Sequence, residues 1–355
     1  MSSSYIVRLT ALGPRVRGLR ARYLTREALN TLIHAQTIDD AMNALKSTDY
    51  GAIIERLGKV ASEDQVANEV RTHIIKFISL LAASVPEPAS TVLRSYLMRL
   101  EFENVKVIAR SLISGFEGKP IEGLINIAVE EELSRRHILA MIMGVRDIED
   151  LRNRLLEIRH PAGPALDSFL RINKQFPQYS IMLIDTLIDK AFIEFLSRLI
   201  RIDNSVSKFV QSLVDYYNVN ILLRSKLWSL PQEMVNELII REGPVASIAL
   251  KVYGEAAARI LEDVVTVFPL IDELIKVAGS SDLRSLVQYL GPFDYVFSKY
   301  LEERMISLFT EFSPGAALAA VHFKFVEGEL VIALLNAFLE GLSRDFVIKL
   351  YSPVI

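Results

Sequence analysis

No cysteine occurs in the 355-residue chain, which excludes disulfides, thiolate catalysis and zinc sites built on sulfur. Nor does any stretch offer the roughly 18 uninterrupted apolar residues that a membrane span needs. The nearest, Leu330 to Leu339, is too short and contains Asn336. A positive charge excess is missing too. The net charge of −3 argues against broad nucleic-acid binding, which needs a basic field to displace phosphate counterions. Period-2 strand runs and low-complexity segments are absent.

The usual signs of catalysis are equally sparse. Five histidines (His34, His73, His137, His160, His322) are scattered, and none pairs with another at i+3 or i+4, so no metal site is expected. Gly115-Phe116-Glu117-Gly118-Lys119 resembles a phosphate loop, but its glycines enclose two residues instead of four and no Ser or Thr follows the lysine. It reads as a helix end and turn. Asp39-Asp40-Ala41-Met42-Asn43 resembles half of the aspartate-rich magnesium motif of all-α isoprenoid synthases. Two facing carboxylate clusters are needed for that chemistry, and no second one follows at useful spacing. The pair is better explained as first-turn acids behind a Thr37 N-cap. The chain is therefore expected to have no catalytic, cofactor-binding or metal site and no small-molecule substrate.

What the sequence has is helical periodicity and repetition. Apolar residues make up 51% of the chain and the mean hydropathy is +0.28, high enough that the excess must face other helices, other subunits, or both. The stretch Ser95 to Gly118 carries an apolar stripe of Leu97, Leu100, Val107 and Ile108, continued upstream by Leu93, with Asn104 in its middle. Its frame, Glu101-x-x-Asn104-x5-Arg110-x4-Gly115, returns as Asp215-x-x-Asn218-x5-Arg224 and, degraded, as Glu327-x-x-Leu330-x5-Asn336-x4-Gly341. Arg110 and Arg224 are 114 positions apart, and Arg224 and Asn336 are 112 apart. Near-equal spacing of matching helices marks an internal repeat.

A short hairpin recurs beside the long helix, at Leu32 to Asp40, Met141 to Asp150 and Leu274 to Leu283. Each has an apolar end, a small residue, a capping side chain and an acid. Breakers fall between, at Val85-Pro86-Glu87-Pro88, Gly118-Lys119-Pro120, His160-Pro161-Ala162-Gly163-Pro164, Gly291-Pro292 and Ser313-Pro314-Gly315. The expected fold is all-α, with about 15 helices of ordinary length. It divides into three units: 1–120 with an Arg-rich arm, 121–232, and 233–355.

Glu101 and Arg110 are nine residues apart on one helix, so each must meet a different neighbour. Glu101, Asn104, Arg110, Asp215, Asn218 and Arg224 are read as inter-helix polar contacts that fix one repeat against another. The helical wheel of the second copy puts Asn220 and Arg224 on the apolar stripe and Asn218 off it. Arg224 is therefore expected to be buried, with about 3–5 kcal/mol lost on truncation. Arg20 is expected to be exposed, and its loss to cost under about 0.5 kcal/mol. Six arginines precede the first acid, Glu27. Of these, Arg15, Arg17, Arg20 and Arg22 form a solvated basic face that is a candidate contact for an acidic partner. A Ser- and Arg-rich start can also be a transit peptide, but no cleavage signature follows.

Taken in order, these features resemble the C subunits of archaeal-type (A-type) rotary ATP synthases, the counterparts of the d subunits of vacuolar (V-type) proton ATPases. The resemblance is carried by Arg17-x-x-Arg20-x-x-Tyr23-Leu24, the Leu45-x-x-Thr48-Asp49-Tyr50 turn and Glu101-x-x-Asn104-x5-Arg110. Asp215-x-x-Asn218-x5-Arg224-x-Lys226 and Lys324-x4-Glu329 leading to Gly341 complete it. The third copy departs from the family pattern at Leu330 and Asn336. The resemblance implies three pseudo-symmetric repeats packed into a funnel-shaped bundle. It implies a non-catalytic central-stalk component that couples the rotor shaft to the membrane proteolipid ring for proton or other ion transport. Its partners would be the central-shaft components and the ring. It would touch the membrane only through them, as a peripheral protein at the cytoplasmic face. An unrelated helical-repeat scaffold or adaptor is the alternative, disfavoured because a period near 113 exceeds the roughly 20–45 residues of a solenoid unit.

Overall fold

A computed structural model describes residues 10–57, 62–115 and 121–354. Arg8 and the Gly118-Lys119-Pro120 turn lie outside the described residues, as does most of the loop beginning at Gly115. Among the described residues there are nineteen α-helices, four short 3-10 segments and no strand. The class is all-α. In chain order the helices are α1 (Leu12–Arg20), α2 (Arg26–Ile33), α3 (Ile38–Leu45), α4 (Gly51–Leu57), α5 (Glu63–Ser84), α6 (Ala89–Ser114), α7 (Ile127–Glu132), α8 (Arg136–Met143), α9 (Ile148–Glu157) and α10 (Gly163–Asn173). They continue as α11 (Ser180–Ser197), α12 (Asn204–Leu227), α13 (Gln232–Leu238), α14 (Gly243–Val252), α15 (Ala257–Val265), α16 (Ile271–Ala278), α17 (Leu283–Phe309), α18 (Pro314–Leu339) and α19 (Arg344–Tyr351). The number exceeds the expected 15 because many hairpin helices are only two or three turns long.

Their ends follow capping chemistry. Thr37 accepts from the Asp40 amide while the Asp40 carboxylate accepts from the Thr37 amide, a reciprocal box that starts α3. Asp147 starts α9 and Asp282 starts α17 in the same role. Gly279 ends α16 at φ +64°, a left-handed turn that a side chain would strain. Ser313 caps α18 with Pro314 at its first position, so that breaker is a helix start. Gly291-Pro292 is a correction: α17 runs through it. A mid-helix proline costs roughly 3 kcal/mol, and here burial of Leu286, Tyr289, Leu290 and Phe293 around it outweighs that cost.

Two compact units emerge. The first comprises Met1–Leu93, Asp203–Phe209 and Leu270–Ile355; the second comprises Arg94–Ile202 and Val210–Pro269. In the first unit α18 is the axis. It is apolar nearly all round, and α1, α3, α5 and α17 pack against it. Tyr23 crosses Phe323 edge to face at 4.6 Å and donates to the Ala320 carbonyl at 3.0 Å. In the second unit Phe102 of α6 meets Phe192 of α11 at 5.5 Å and His160 at 5.0 Å. Leu97, Leu100, Asn104 and Ile108 of the α6 stripe are all buried, and Val107 is half-buried.

The start of α18 leaves no room for a side chain at Gly315. A Cβ there would stand 2.3 Å from the Ser205 carbonyl carbon, in backbone that cannot swing aside. Gly315→Ala should therefore destabilise the protein by about 1–3 kcal/mol, read as a lower urea midpoint at unchanged slope.

Candidate functional site

Four polar residues of the repeated frame, Glu101, Asn104, Asp215 and Asn218, lie on the long helices α6 and α12, and each has a specific partner from outside its own helix. Asn104, on α6, donates through Nδ2 to the Asn126 carbonyl at 3.0 Å and accepts from the Asn126 amide at 2.8 Å. Asn126 in turn caps α7 through its side chain. Asn218, on α12, repeats the contact: it donates to the Ile240 carbonyl and accepts from the Ile240 amide, both at 2.9 Å. In each case the clasped backbone lies 22 residues downstream, and each side-chain amide both donates to and accepts from the main chain of a single residue. Asp215, one turn before Asn218, accepts from the amide of Val245 in the first turn of α14, whose own N-cap residue offers no side-chain bond. The chain enters this helix at Gly243 with φ +82°, where a Cβ would stand 2.5 Å from Asp215 Oδ1. Burial pushes the Asp215 carboxyl up to about 6 against that amide bond.

Glu101 is wholly buried. His160 Nε2 lies 2.7 Å from its Oε1, and Arg135 Nε lies 2.7 Å from its Oε2. Burial alone would raise its pKa, but the His160 hydrogen bond and the Arg135 guanidinium hold it below the usual carboxylate range. Glu130, also wholly buried, accepts from Asn104 Nδ2 at 3.1 Å and faces Glu101. Burial and the Glu101 charge push the Glu130 carboxyl up to about 8, so at neutral pH it carries a proton and donates to Glu101. Two carboxyls and one guanidinium meet in this buried cluster.

The third copy builds a different knot in the first unit. Lys324, on α18, is fully buried, with Glu327 Oε1 at 2.8 Å, the Arg22 carbonyl at 2.9 Å and Asp49 Oδ2 at 3.2 Å, so each of its three N–H bonds has an acceptor. Its ammonium also lies 4.3 Å over the Tyr50 ring. Glu327 accepts from the Tyr50 hydroxyl at 2.9 Å and from the Leu24 amide at 2.6 Å, just ahead of α2. Burial raises the Glu327 carboxyl despite these donors. Asp49 is opposed by burial but held down to about 2 by the His73 hydrogen bond and the Lys324 charge.

The arginines correct the sequence reading. Arg224 is exposed, not buried, and has no carboxylate partner among the described residues. α12 is enclosed on a wider arc than its apolar stripe, so Asn218 is wholly buried, whereas Asn220 is half-buried and turns back to its own helix at the Tyr216 carbonyl; Arg224, in the last turn of the helix, lies on the wall of a groove. Arg20 is not a free arm residue. It is about one-third exposed and meets buried Glu302 at 2.7 Å and Glu311 at 3.4 Å. Arg17 also pairs with Glu311, Arg22 lies 3.7 Å from Asp49, and Arg15 donates to Ser84 at 2.8 Å. The basic face is thus already engaged within the first unit. Arg110 makes a bidentate pair with Asp185 at 2.6 and 2.7 Å near the surface.

Sequence reasoning passed over Asn126, Glu130, Arg135, His160, Asp49, Tyr50 and His73 as site residues. One signal was available: Tyr50 and His160 each stand thirteen residues after a hairpin cap, Thr37 and Asp147, and each bonds a long-helix carboxylate. Chemically, these arrangements hold helices. Among the described residues no group of three His, Asp or Glu side chains could hold a metal, and Asp40 is taken up in the Thr37 box.

Two outcomes follow from this geometry. Lys324→Ala should cost about 3–5 kcal/mol, because it strands Glu327 in the core, while Arg224→Ala should cost under about 0.5 kcal/mol. Urea midpoints in the reverse order would overturn the assignment of structural cations. Glu130 binds its proton more tightly folded than unfolded. Its contribution is therefore fully present below the ordinary carboxyl value of 4.5 and is lost as pH rises through about 8. Glu130→Gln should flatten the fall in Tm of the wild type between about pH 5 and pH 9.

Comparison with known proteins agrees with the resemblance. The family model described as ATP synthase (C/AC39) subunit matches residues 12–350. The C subunit of the A-type ATP synthase of Methanocaldococcus jannaschii is 20% identical, covering 93% of this chain and 83% of its own length. Its counterpart in Pyrococcus abyssi is 23% identical over 87% of this chain and 80% of its own, and that of Thermoplasma volcanium 21% over 76% and 78%. With nearly its whole length matched, the chain belongs to the ATP synthase (C/AC39) subunit family.

Proposed function

We propose that the chain is a non-catalytic coupling component of a rotary ATP synthase, joining the central shaft to the membrane proteolipid ring. The observation that carries this reading is the family match over residues 12–350 in a molecule whose buried ionisable groups are engaged in helix-to-helix contacts. No helix among the described residues is long and apolar enough to cross a membrane. A peripheral position at the cytoplasmic face, reached through the ring, is part of the proposal.

The internal organisation belongs to it as well. Three repeats, 1–120, 121–232 and 233–355, packed as a funnel, would give a torque-bearing body without moving parts. Support comes from the amide clasps at Asn104 and Asn218, made with the same 22-residue offset, and from the long-helix carboxylates Glu101 and Glu327, each bonded by a residue at the same place in a hairpin. Buried polar networks favour one packing over others, which suits a part that must transmit force without deforming.

The test is reconstitution of the complete complex in vesicles with and without this chain. Its removal should leave ATP hydrolysis by the head largely intact and abolish hydrolysis-driven ion transport. The isolated chain should neither bind nor hydrolyse nucleotide. Transport that survives removal, or turnover by the chain alone, would overturn the reading.

A further inference from the structure

The second unit carries a groove of about 690 Å³ between the end of α12 and the segment from Pro177 into α11. Its cations are Lys106, Arg110 and Arg224 and its carboxylates are Asp185 and Asp189. Two of the cations are already answered. Lys106 lies 2.5 Å from Asp189 and 2.8 Å from Glu103, and Arg110 holds Asp185 bidentately. Arg224 is the remainder: it lies on the groove wall, exposed, with no carboxylate partner among the described residues. One helical turn on, Trp228, the chain's single tryptophan, stands 45% exposed, and no aromatic or cationic contact to its indole occurs among the described residues. Ile181, 40% exposed, and Tyr179 line the same groove.

From this we infer that the groove is a docking site for an acidic segment of a partner protein, one that places an aliphatic or aromatic side chain on Trp228 and a carboxylate on Arg224. Arginine, tryptophan and tyrosine are the residues on which interface energy concentrates, and here they share one concavity. Charge decides the partner's chemistry. A neutral or basic segment would cover Arg224 without a counter-charge, a desolvation cost with nothing to offset it. A nucleic acid would meet Asp185 and Asp189 with Arg224 as the groove's one unanswered cation among the described residues, too little to displace its counterions. A lone small anion would leave the exposed indole and Ile181 uncovered. The proposal rests on the rotary reading only in taking the partner from that assembly; the recognition chemistry stands apart from it.

The single tryptophan makes the groove its own reporter. The full-length chain is titrated with an amidated helical peptide carrying Leu and Glu at i, i+4 spacing, and with its Glu→Gln counterpart, while Trp228 emission is followed. The Glu peptide should shift the emission to the blue and bind at least about tenfold more tightly than the Gln peptide. Arg224→Glu should abolish that preference, Arg224→Lys should retain it, and added salt should weaken it. Unchanged helicity by circular dichroism verifies that the variants fold. Equal binding of the two peptides, or emission that does not move, overturns the proposal. Emission that shifts with the chain's own concentration assigns the groove to a second copy and overturns it equally. In parallel, purified shaft components and the detergent-solubilised ring are each tested for binding. If neither binds the wild-type chain, the rotary reading fails while the peptide pair still decides the groove. If one binds, its affinity should fall at least about tenfold in Arg224→Glu with a change in Trp228 emission.

Discussion

A hydrogen-bonding group placed on the buried face of a long helix has to be answered by something brought to it. In this chain the answer comes from the backbone at the entrance of a short helix. The first turn of any helix leaves amides without intrahelical partners. Asn104 takes the amide of Asn126, the cap of α7; Asp215 takes that of Val245 in α14; Glu327 takes that of Leu24 ahead of α2. Each bond satisfies two groups that would be costly alone, a buried side chain and an orphan peptide N–H. Because the donor is the N–H of one particular residue, the bond also fixes where along the long helix the short one begins. Apolar packing by itself tolerates sliding and repacking. These contacts remove that freedom, and the register of the helices around α6, α12 and α18 depends on them.

Their cost shapes what surrounds them. A carboxylate taken from water needs more than one donor, and the immediate neighbours are accordingly polar. Glu101 gathers His160, Arg135 and a protonated Glu130, while Glu327 gathers Lys324 and Tyr50. Buried ion pairs contribute little net stability compared with well-packed apolar residues. Their retention here fits a role in choosing one arrangement over others. In the first unit α18 is buried along nearly its full length, mostly by apolar side chains.

The class and the helix ends were legible in the chain because they are local. Thr37, Asp147 and Asp282 cap where a short polar side chain precedes an apolar period, and periodicity without alternation excluded strands. Also legible was the spacing of Glu101-x-x-Asn104 and Asp215-x-x-Asn218, since matching side chains recur at near-constant distance. What eluded it was orientation. A helical wheel assumes one buried face along the whole helix; α12 is enclosed on a wider arc, so Asn218 lies inside, while Arg224, in its last turn, lies exposed on a groove wall, opposite to the wheel. The partners eluded it for a related reason. His160, Glu130 and Arg135 are ordinary in their local sequence and acquire meaning only when folding sets them beside Glu101. Pro292 misled in a third way, since local propensity marks a break where tertiary burial keeps α17 continuous.

The third copy shows how the same mechanical requirement is met without the same residue. Leu330 stands where the other copies have Asn104 and Asn218, and it is buried, so no side-chain amide is available there to clasp a peptide. One turn earlier, Glu327 has taken over: its Oε2 accepts a backbone amide as the asparagine oxygens do, but a carboxylate has no N–H to give back to a carbonyl. The missing donor is supplied by Lys324, which reaches the Arg22 carbonyl two residues before Leu24 and neutralises the carboxylate at the same time. An asparagine that both donates and accepts has thus been replaced by a charged pair that divides the two tasks. The substitution is chemically balanced only because Asp49 and Tyr50 complete the coordination of the ammonium and the carboxylate. For that reason the Thr48-Asp49-Tyr50 turn and the α18 helix, far apart in sequence, cannot vary independently.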